Sequence, residues 1–212
     1  MWSPVARGFS SWPFSDSRLC DVTGGAELGT SRASSPTCGP VLYLDFDGVL
    51  HHENVLWHPF RGPHLVAPTG HRLFQHVDLL VEMLAPHPGI DIVLSTAWTL
   101  RYGYRGAARR LPLSLRHRVV GATFHSAMDR DQFLSASRGM QVWSDVQRRH
   151  PSDWLALDDD AFGWPAWCRD RLVRTHPELG ISPLDVQEQI RRGLARISWG
   201  AFRFDTRRKN AT

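Results

Sequence analysis

Two acid-rich runs, Asp45-Phe46-Asp47-Gly48-Val49 and Asp158-Asp159-Asp160, are the part of this chain best suited to chemistry. Each directly follows a short apolar run: Val41-Leu42-Tyr43-Leu44 in the first case, Trp154-Leu155-Ala156-Leu157 in the second. Aspartate is a poor strand former, and carboxylates brought together out of water repel one another. Two such clusters at the ends of buried strands therefore need a compensating positive charge. Mg2+ supplies it, since this ion takes a few carboxylate oxygens and fills its other positions with water and substrate phosphate. Asp45, the backbone carbonyl of Asp47 and Asp158 suit that ion. Taken alone, either cluster is an ordinary helix cap or loop; only the pair points to a site.

The pair converges only if both strands belong to one sheet and point the same way. From Pro40 onward short apolar runs alternate with helix-spaced apolar residues, the pattern of an α/β domain. Residues 41–44 read as a first strand, buried on both faces. A polar, histidine-rich stretch spans 51–70, after which Leu73, Val77, Leu80, Val81 and Leu84 recur at helical spacing until residues 86–89 stop them. Residues 90–94 are the second expected strand, 100–110 a short helix with a basic face, and 119–124 a third strand. Met140, Val142, Trp143 and Val146 mark an amphipathic helix ended by Pro151; 154–157 is the fourth strand and 171–175 a fifth. After Gly180, Ser182 is the expected cap of a last helix, with Pro183 at its first position and Asp185 in its first turn. The expected fold is a three-layer, doubly wound, mostly parallel sheet. Right-handed crossovers put all strand carboxyl ends at one edge, where such sheets bind ligands.

The order Leu44-Asp45-Phe46-Asp47-Gly48-Val49, Ile92-Val93-Leu94-Ser95-Thr96, Arg138 and Leu155-Ala156-Leu157-Asp158-Asp159 resembles the four motifs of the haloacid dehalogenase (HAD) superfamily of phosphohydrolases, over about residues 40–196. The first motif is the most specific; the third is the least, because any basic residue fills it. The resemblance implies a Rossmann-like catalytic domain over 40–200, with Asp45 as nucleophile and Asp47 as general acid and base. Thr96 matches the Ser/Thr position of the second motif, with Ser95 as the other reading, and Arg138 stands at the Lys/Arg position of the third. Asp158 and Asp159 match the metal acids of the fourth, so the implied metal set is Asp45, Asp47, Asp158 and Asp159. The chemistry suits these residue types. A carboxylate attacks phosphorus only when the phosphoryl charge is neutralised, which Mg2+, Arg138 and the Thr96 hydroxyl would do. An aspartyl phosphate then forms at Asp45, while Asp47 protonates the leaving oxygen and later activates water. Aspartate at that position favours phosphatase over dehalogenase chemistry, because a departing halide needs no proton.

Within the superfamily, small-molecule specificity usually comes from an inserted cap domain. Here 50–70 offers only about 20 residues and 97–137 is largely used by the expected helix and third strand, so the cap is minimal or absent and the site open. An open site suits a phosphorylated nucleic-acid end, or a small molecule covered by an oligomer partner. The runs Leu94-Ser95-Thr96-Ala97-Trp98, Arg138-Gly139-Met140-Gln141-Val142-Trp143, Leu157-Asp158-Asp159 and Glu178-Leu179-Gly180-Ile181-Ser182 further resemble the HAD domain associated with RNA-repair proteins. Ser95, Gly48, Trp98 and Arg101 are the substrate-binding candidates. Trp98 either stacks on a base or packs in the core; Arg101, Arg105, Arg109 and Arg110 either track a nucleic-acid backbone or form a solvated face. His51, His52, His58 and His64 show no zinc spacing and read as polar loop groups, any of which can face substrate.

Composition bounds these readings. The 212 residues, 42% hydrophobic, support one core, and no apolar run approaches the ~18 residues that span a bilayer. No membrane partner is therefore expected. The net charge of +4 comes almost wholly from arginine, Lys209 being the one lysine. That bias serves phosphate recognition or reflects codon usage. Cys20, Cys38 and Cys168 form no CxxC pair, which argues against a disulfide scaffold or zinc site and for the reducing cytoplasm. Residues 1–39, rich in Ser and Gly, read as a disordered extension, either faintly like a transit peptide or the product of a mis-set start codon. Residues 201–212 read as a frayed basic tail. The expected activity is that of a Mg2+-dependent phosphoric monoester hydrolase. Two readings compete with it: a catalytically silent HAD-like module that binds nucleic acid or protein, and a phosphotransferase.

Overall fold

The apolar run Val41–Leu44 forms strand β1, and its alternating side chains serve two cores: Leu42 and Leu44 face one, Val41 and Tyr43 the other. The computed structural model describes residues 39–209. Along them β1 is followed by β2 (Val55–His58), β3 (Gly62–Leu65), α1 (Val77–Leu84), β4 (Asp91–Leu94), α2 (Trp98–Ala108) and α3 (Leu113–Arg116). Then come β5 (Val119–Ala122), α4 (Arg130–Ser135), α5 (Arg138–Arg149), β6 (Trp154–Asp158), a 3-10 turn (Ala166–Arg171), β7 (Leu172–Arg174) and α6 (Leu184–Lys209).

Five strands make one parallel sheet in the order β5-β4-β1-β6-β7, as expected of a doubly wound α/β fold. In register, Leu44 lies between Leu94 of β4 and Leu157 of β6. The chain winds outward from β1 through β4 to β5, then returns across the sheet and leaves through β6 to β7. Its direction therefore reverses beside β1, and the crevice at such a switch point is where these sheets bind ligands. Asp45 and Asp158 stand there, and the Asp45 amide donates to the Leu157 carbonyl at 3.2 Å. Helices cover both faces. On one, Leu80 and Leu84 of α1 and Ile190, Leu194 and Ile197 of α6 pack with Leu42, Ile92 and Leu155. On the other, Val142 and Val146 of α5 pack with Tyr43, Val93 and Trp164. Burying each such side chain stabilises the fold by about 1.5–3 kcal/mol, so the sheet edge is a rigid platform.

The elements differ from the sequence reading in several places. The stretch 51–70, read from the sequence only as polar and histidine-rich, holds the antiparallel hairpin β2–β3, with Val55 opposite Leu65 and His58 opposite Gly62. Its turn closes through a side chain: Nδ1 of His58 accepts the amides of Phe60 and Arg61 at 3.2 Å each. That device has no Asn-Gly-type signature. Short helices α3 and α4 and the 3-10 turn were not expected either; Asp129 caps α4 by accepting the Gln132 amide at 2.7 Å. Ser182 does not cap α6, because its hydroxyl donates back to the Leu179 carbonyl at 2.7 Å. Finally, α6 continues to Lys209, through most of the expected tail, since no proline interrupts its hydrogen bonding. The expectation of disorder over 1–39 falls almost wholly outside the described residues. Among the described residues no helix is long and apolar enough to cross a membrane.

Candidate active site

Strand β1 delivers Asp45 and β6 delivers Asp158 to neighbouring positions, and α5 starts with the residue that joins them. Arg138, first in α5, places Nη2 at 3.1 Å from Oδ2 of Asp45 and Nε at 3.2 Å from Oδ2 of Asp158, and Nη1 donates to the Ser95 carbonyl. Close approach of this helix start requires Gly139: a Cβ there would lie 2.6 Å from the Trp164 Cα in the loop after β6. Asp45 also accepts the Phe46 amide on Oδ1 at 2.7 Å, and the Thr96 hydroxyl hydrogen-bonds to it. The second-motif ambiguity is thereby reduced: Thr96 contacts Asp45, whereas the Ser95 hydroxyl is buried without a hydrogen-bond partner.

Oxygens of Asp45, Asp158 and Asp159 lie within 4.8 Å of one another. Burial raises all three carboxyl pKa values. Desolvation is the largest cause for each; Asp47 adds to it at Asp45 against the pull of Arg138, and Asp45 adds to it at Asp158 and Asp159. Asp159 is pushed up to about 6. Burial opposes the charge on Arg138, but Asp45, Asp158 and Asp159 outweigh it. One guanidinium faces three carboxyl groups whose ionised forms burial disfavours, so a further positive charge there would stabilise them. Oδ2 of Asp158, buried and facing Arg138, receives no hydrogen bond. A set of hard oxygen donors with an unsatisfied buried oxygen fits a hard divalent cation.

The Asp47 carboxylate, part of the expected metal set, is not among these three. Its Oδ1 accepts the indole N–H of Trp98 at 2.9 Å and lies 3.0 Å from Nε2 of His51. Trp98 is fully buried among Phe46, Trp57 and Phe74, so it does not present a face for stacking on a base. Of the two readings of Trp98, packing is the correct one, with a hydrogen bond to a site residue added. His51, grouped above with polar loop groups, is likewise fully buried. Its spacing of four residues from Asp47 is the one signal the sequence holds for that contact.

The remaining substrate candidates separate. Arg101 is exposed on α2 with its guanidinium 4.9 Å from the Trp57 ring centre, at the hairpin rather than among the carboxylates. Gly48 is buried, with φ +66°, and a Cβ there would lie 2.3 Å from the Asp159 carboxyl carbon. Its part is therefore steric: it lets Asp159 close on Asp45, and its carbonyl accepts the Thr175 hydroxyl at 2.6 Å. Gly48→Ala should cost about 1–2 kcal/mol for the left-handed backbone alone and push Asp159 aside. Thermal melts of the variant should show a lower Tm and a smaller rise on adding Mg2+ than the wild type; an undiminished rise would free Asp159 of any part in cation binding.

Residues 41–186 match the family model described as the HAD domain in Swiss Army Knife RNA repair proteins. No curated protein and no solved structure gives a significant match.

Proposed function

The chain belongs to that HAD-domain family, and on this premise we propose that it is a Mg2+-dependent phosphatase that works through an aspartyl phosphate at Asp45 and acts on the phosphorylated end of a nucleic acid or on a nucleotide. The observation that carries the reading is the convergence of Asp45, Asp158, Asp159 and Arg138 at the switch point of the sheet. Asp45, Asp158 and Asp159 would hold Mg2+, which supplies charge neutralisation for the phosphoryl group when bound. Arg138 adds a fixed positive charge at Asp45 and, with the Thr96 hydroxyl, orients the nucleophile. Asp45 attacks phosphorus, and the ester oxygen leaves with a proton from Asp47. Asp47 then takes a proton from the water that hydrolyses the acyl phosphate.

A polynucleotide end is favoured by what surrounds the site. Among the described residues the hairpin is the one element between β1 and α1, so nothing of the size of a cap domain is inserted there. Residues 54–77 and 92–128 contain no Asp or Glu. They build the hairpin and α2, where Arg101 lies over Trp57 and Arg110 lies 4.9 Å from the Tyr102 ring centre. Phe60, at the hairpin turn, is 94% exposed. Acid-free segments with arginine and an exposed aromatic suit a phosphodiester chain with unstacked bases. A cleft of about 260 Å³, lined by Arg138 together with Leu100, Phe133, Leu134, Ser137 and Phe162, has room for the group that carries the phosphate. The free, buried thiol of Cys168 suits a reducing compartment such as the cytoplasm.

The test is hydrolysis of p-nitrophenyl phosphate with and without Mg2+, followed by 3′- and 5′-phosphorylated oligonucleotides and mononucleotides. Expected are Mg2+-dependent release of phosphate and a higher kcat/KM on an oligonucleotide end than on the matching mononucleotide. Equal kcat/KM on both would remove the polynucleotide part, and no turnover of any ester would favour a binding module.

A further inference from the structure

Two buried donors from separate segments meet at one oxygen of Asp47. Trp98, at the start of α2, donates its indole N–H to Oδ1 at 2.9 Å. His51 brings Nε2 to the same oxygen at 3.0 Å. The other ring nitrogen of His51, Nδ1, accepts the Phe74 amide at 3.3 Å. A nitrogen that accepts carries no proton, so the ring is neutral and its one N–H is on Nε2. Both contacts are therefore donations to Oδ1. Both rings are fully buried, and Phe74 packs edge-on against each, at 4.9 Å from His51 and 5.3 Å from Trp98. Neither ring can turn without displacing the core.

A carboxylate oxygen has two lone pairs in its plane, and two N–H groups occupy both. A proton added to Oδ1 would face two N–H protons. We propose that His51 and Trp98 are positioning residues which, by saturating Oδ1 of Asp47, confine its exchangeable proton to Oδ2, which accepts from no donor among the described residues, and so aim the general acid at the leaving group. This rests on the phosphatase reading. In the first half-reaction Asp45 bonds to phosphorus as the ester P–O bond breaks, and the proton on Oδ2 passes to the departing oxygen. In the second, water attacks phosphorus, Oδ2 takes its proton, and the bond from phosphorus to Asp45 breaks to release phosphate. One oxygen serves both proton transfers because the other is held by donors throughout.

The experiment is a leaving-group series, from 2,4-dinitrophenyl phosphate through p-nitrophenyl and phenyl phosphate to an alkyl phosphate, for wild type, His51→Leu, His51→Gln and Trp98→Phe. A good leaving group departs without a proton, whereas an alkoxide needs one, and general acid catalysis supplies about 10²–10⁴-fold. Loss of either donor should therefore slow dinitrophenyl phosphate by only about threefold and the alkyl ester by about 100-fold. His51→Gln, which keeps an amide N–H near the Nε2 position, should recover most of the alkyl rate. Equal losses across the series, as a packing role predicts, would overturn the proposal, as would no loss at all. If His51→Leu fails to fold, Trp98→Phe and His51→Gln carry the comparison. A readout independent of turnover is the nitrogen NMR spectrum of His51, assigned by its absence in His51→Gln: an Nε2-protonated neutral ring is expected, and an Nδ1-protonated or doubly protonated ring would overturn the proposal. If wild type hydrolyses none of the esters, the phosphatase reading fails and the NMR result alone decides the hydrogen-bond arrangement.

Discussion

Asp45→Asn is expected to lower turnover of every phosphate ester by at least about 10⁴-fold while raising the thermal stability of the protein in the absence of divalent cations. The two effects have one cause. An amide is no nucleophile toward phosphorus, so no acyl phosphate forms. The same carboxylate is buried beside Asp158 and Asp159, and desolvation holds its pKa above the usual range. A group whose folded pKa is raised contributes stability that is present below its unfolded pKa and lost as pH rises through the folded one. At neutral pH the Asp45 carboxylate is therefore a cost to the fold, which the isosteric amide removes while still accepting the Phe46 amide hydrogen. Turnover of p-nitrophenyl phosphate and melts in a chelator measure both. Full activity would remove Asp45 as nucleophile. A lowered Tm would mean that pairing with Arg138 outweighs desolvation.

Arg138→Met should act in the opposite sense on stability and in the same sense on activity. The guanidinium is the charge paired with both Asp45 and Asp158, and removing one partner of a buried ion pair costs about 3–5 kcal/mol. Turnover should fall about 10²–10³-fold, the usual effect of deleting one electrostatic stabiliser of a transition state. The pH dependence separates this from a loss of packing. The carboxyls left behind have raised pKa values, that of Asp159 at about 6 and those of Asp45 and Asp158 in the same direction. Their protonated forms are favoured in the fold, so the variant should lose little against wild type near pH 4 and most above about pH 7. Mg2+ should recover part of the deficit at the higher pH. A deficit that is the same at both pH values would assign the role of Arg138 to its aliphatic stem.

The parts of the site legible in the sequence are those in which a residue type and its neighbours in the chain carry the chemistry. Asp45 and Asp158 stand out because charged residues directly follow runs that can only be buried strands, and the parallel sheet follows from the alternation of such runs with helical periods. Arg138 was named through the family resemblance, and the contact with Asp45 was not readable from its position. It depends on how closely α5 approaches the loop after β6, which Gly139 permits. The hairpin escaped because His58 closes its turn by accepting two amides, a signal carried by one side chain and not by the usual turn residues.

Trp98 and His51 show the limit most plainly. A tryptophan two residues past Thr96 and a histidine four past Asp47 read in the chain as a stacking face or packing residue and as a polar loop group. In the fold both are buried donors to the same carboxylate oxygen. Alternating apolar runs, acids at strand ends and the composition of the chain determined the fold class, the sheet edge that carries the chemistry and the identity of the acids, because burial and charge repulsion act on residues wherever the chain goes next. The distance of Arg138 from those acids, the place of Arg101 at the hairpin, the steric part of Gly48 and the donors around Asp47 were decided only by the tertiary structure. Each is a contact between segments far apart in the chain, set to within an ångström by packing that no local pattern encodes.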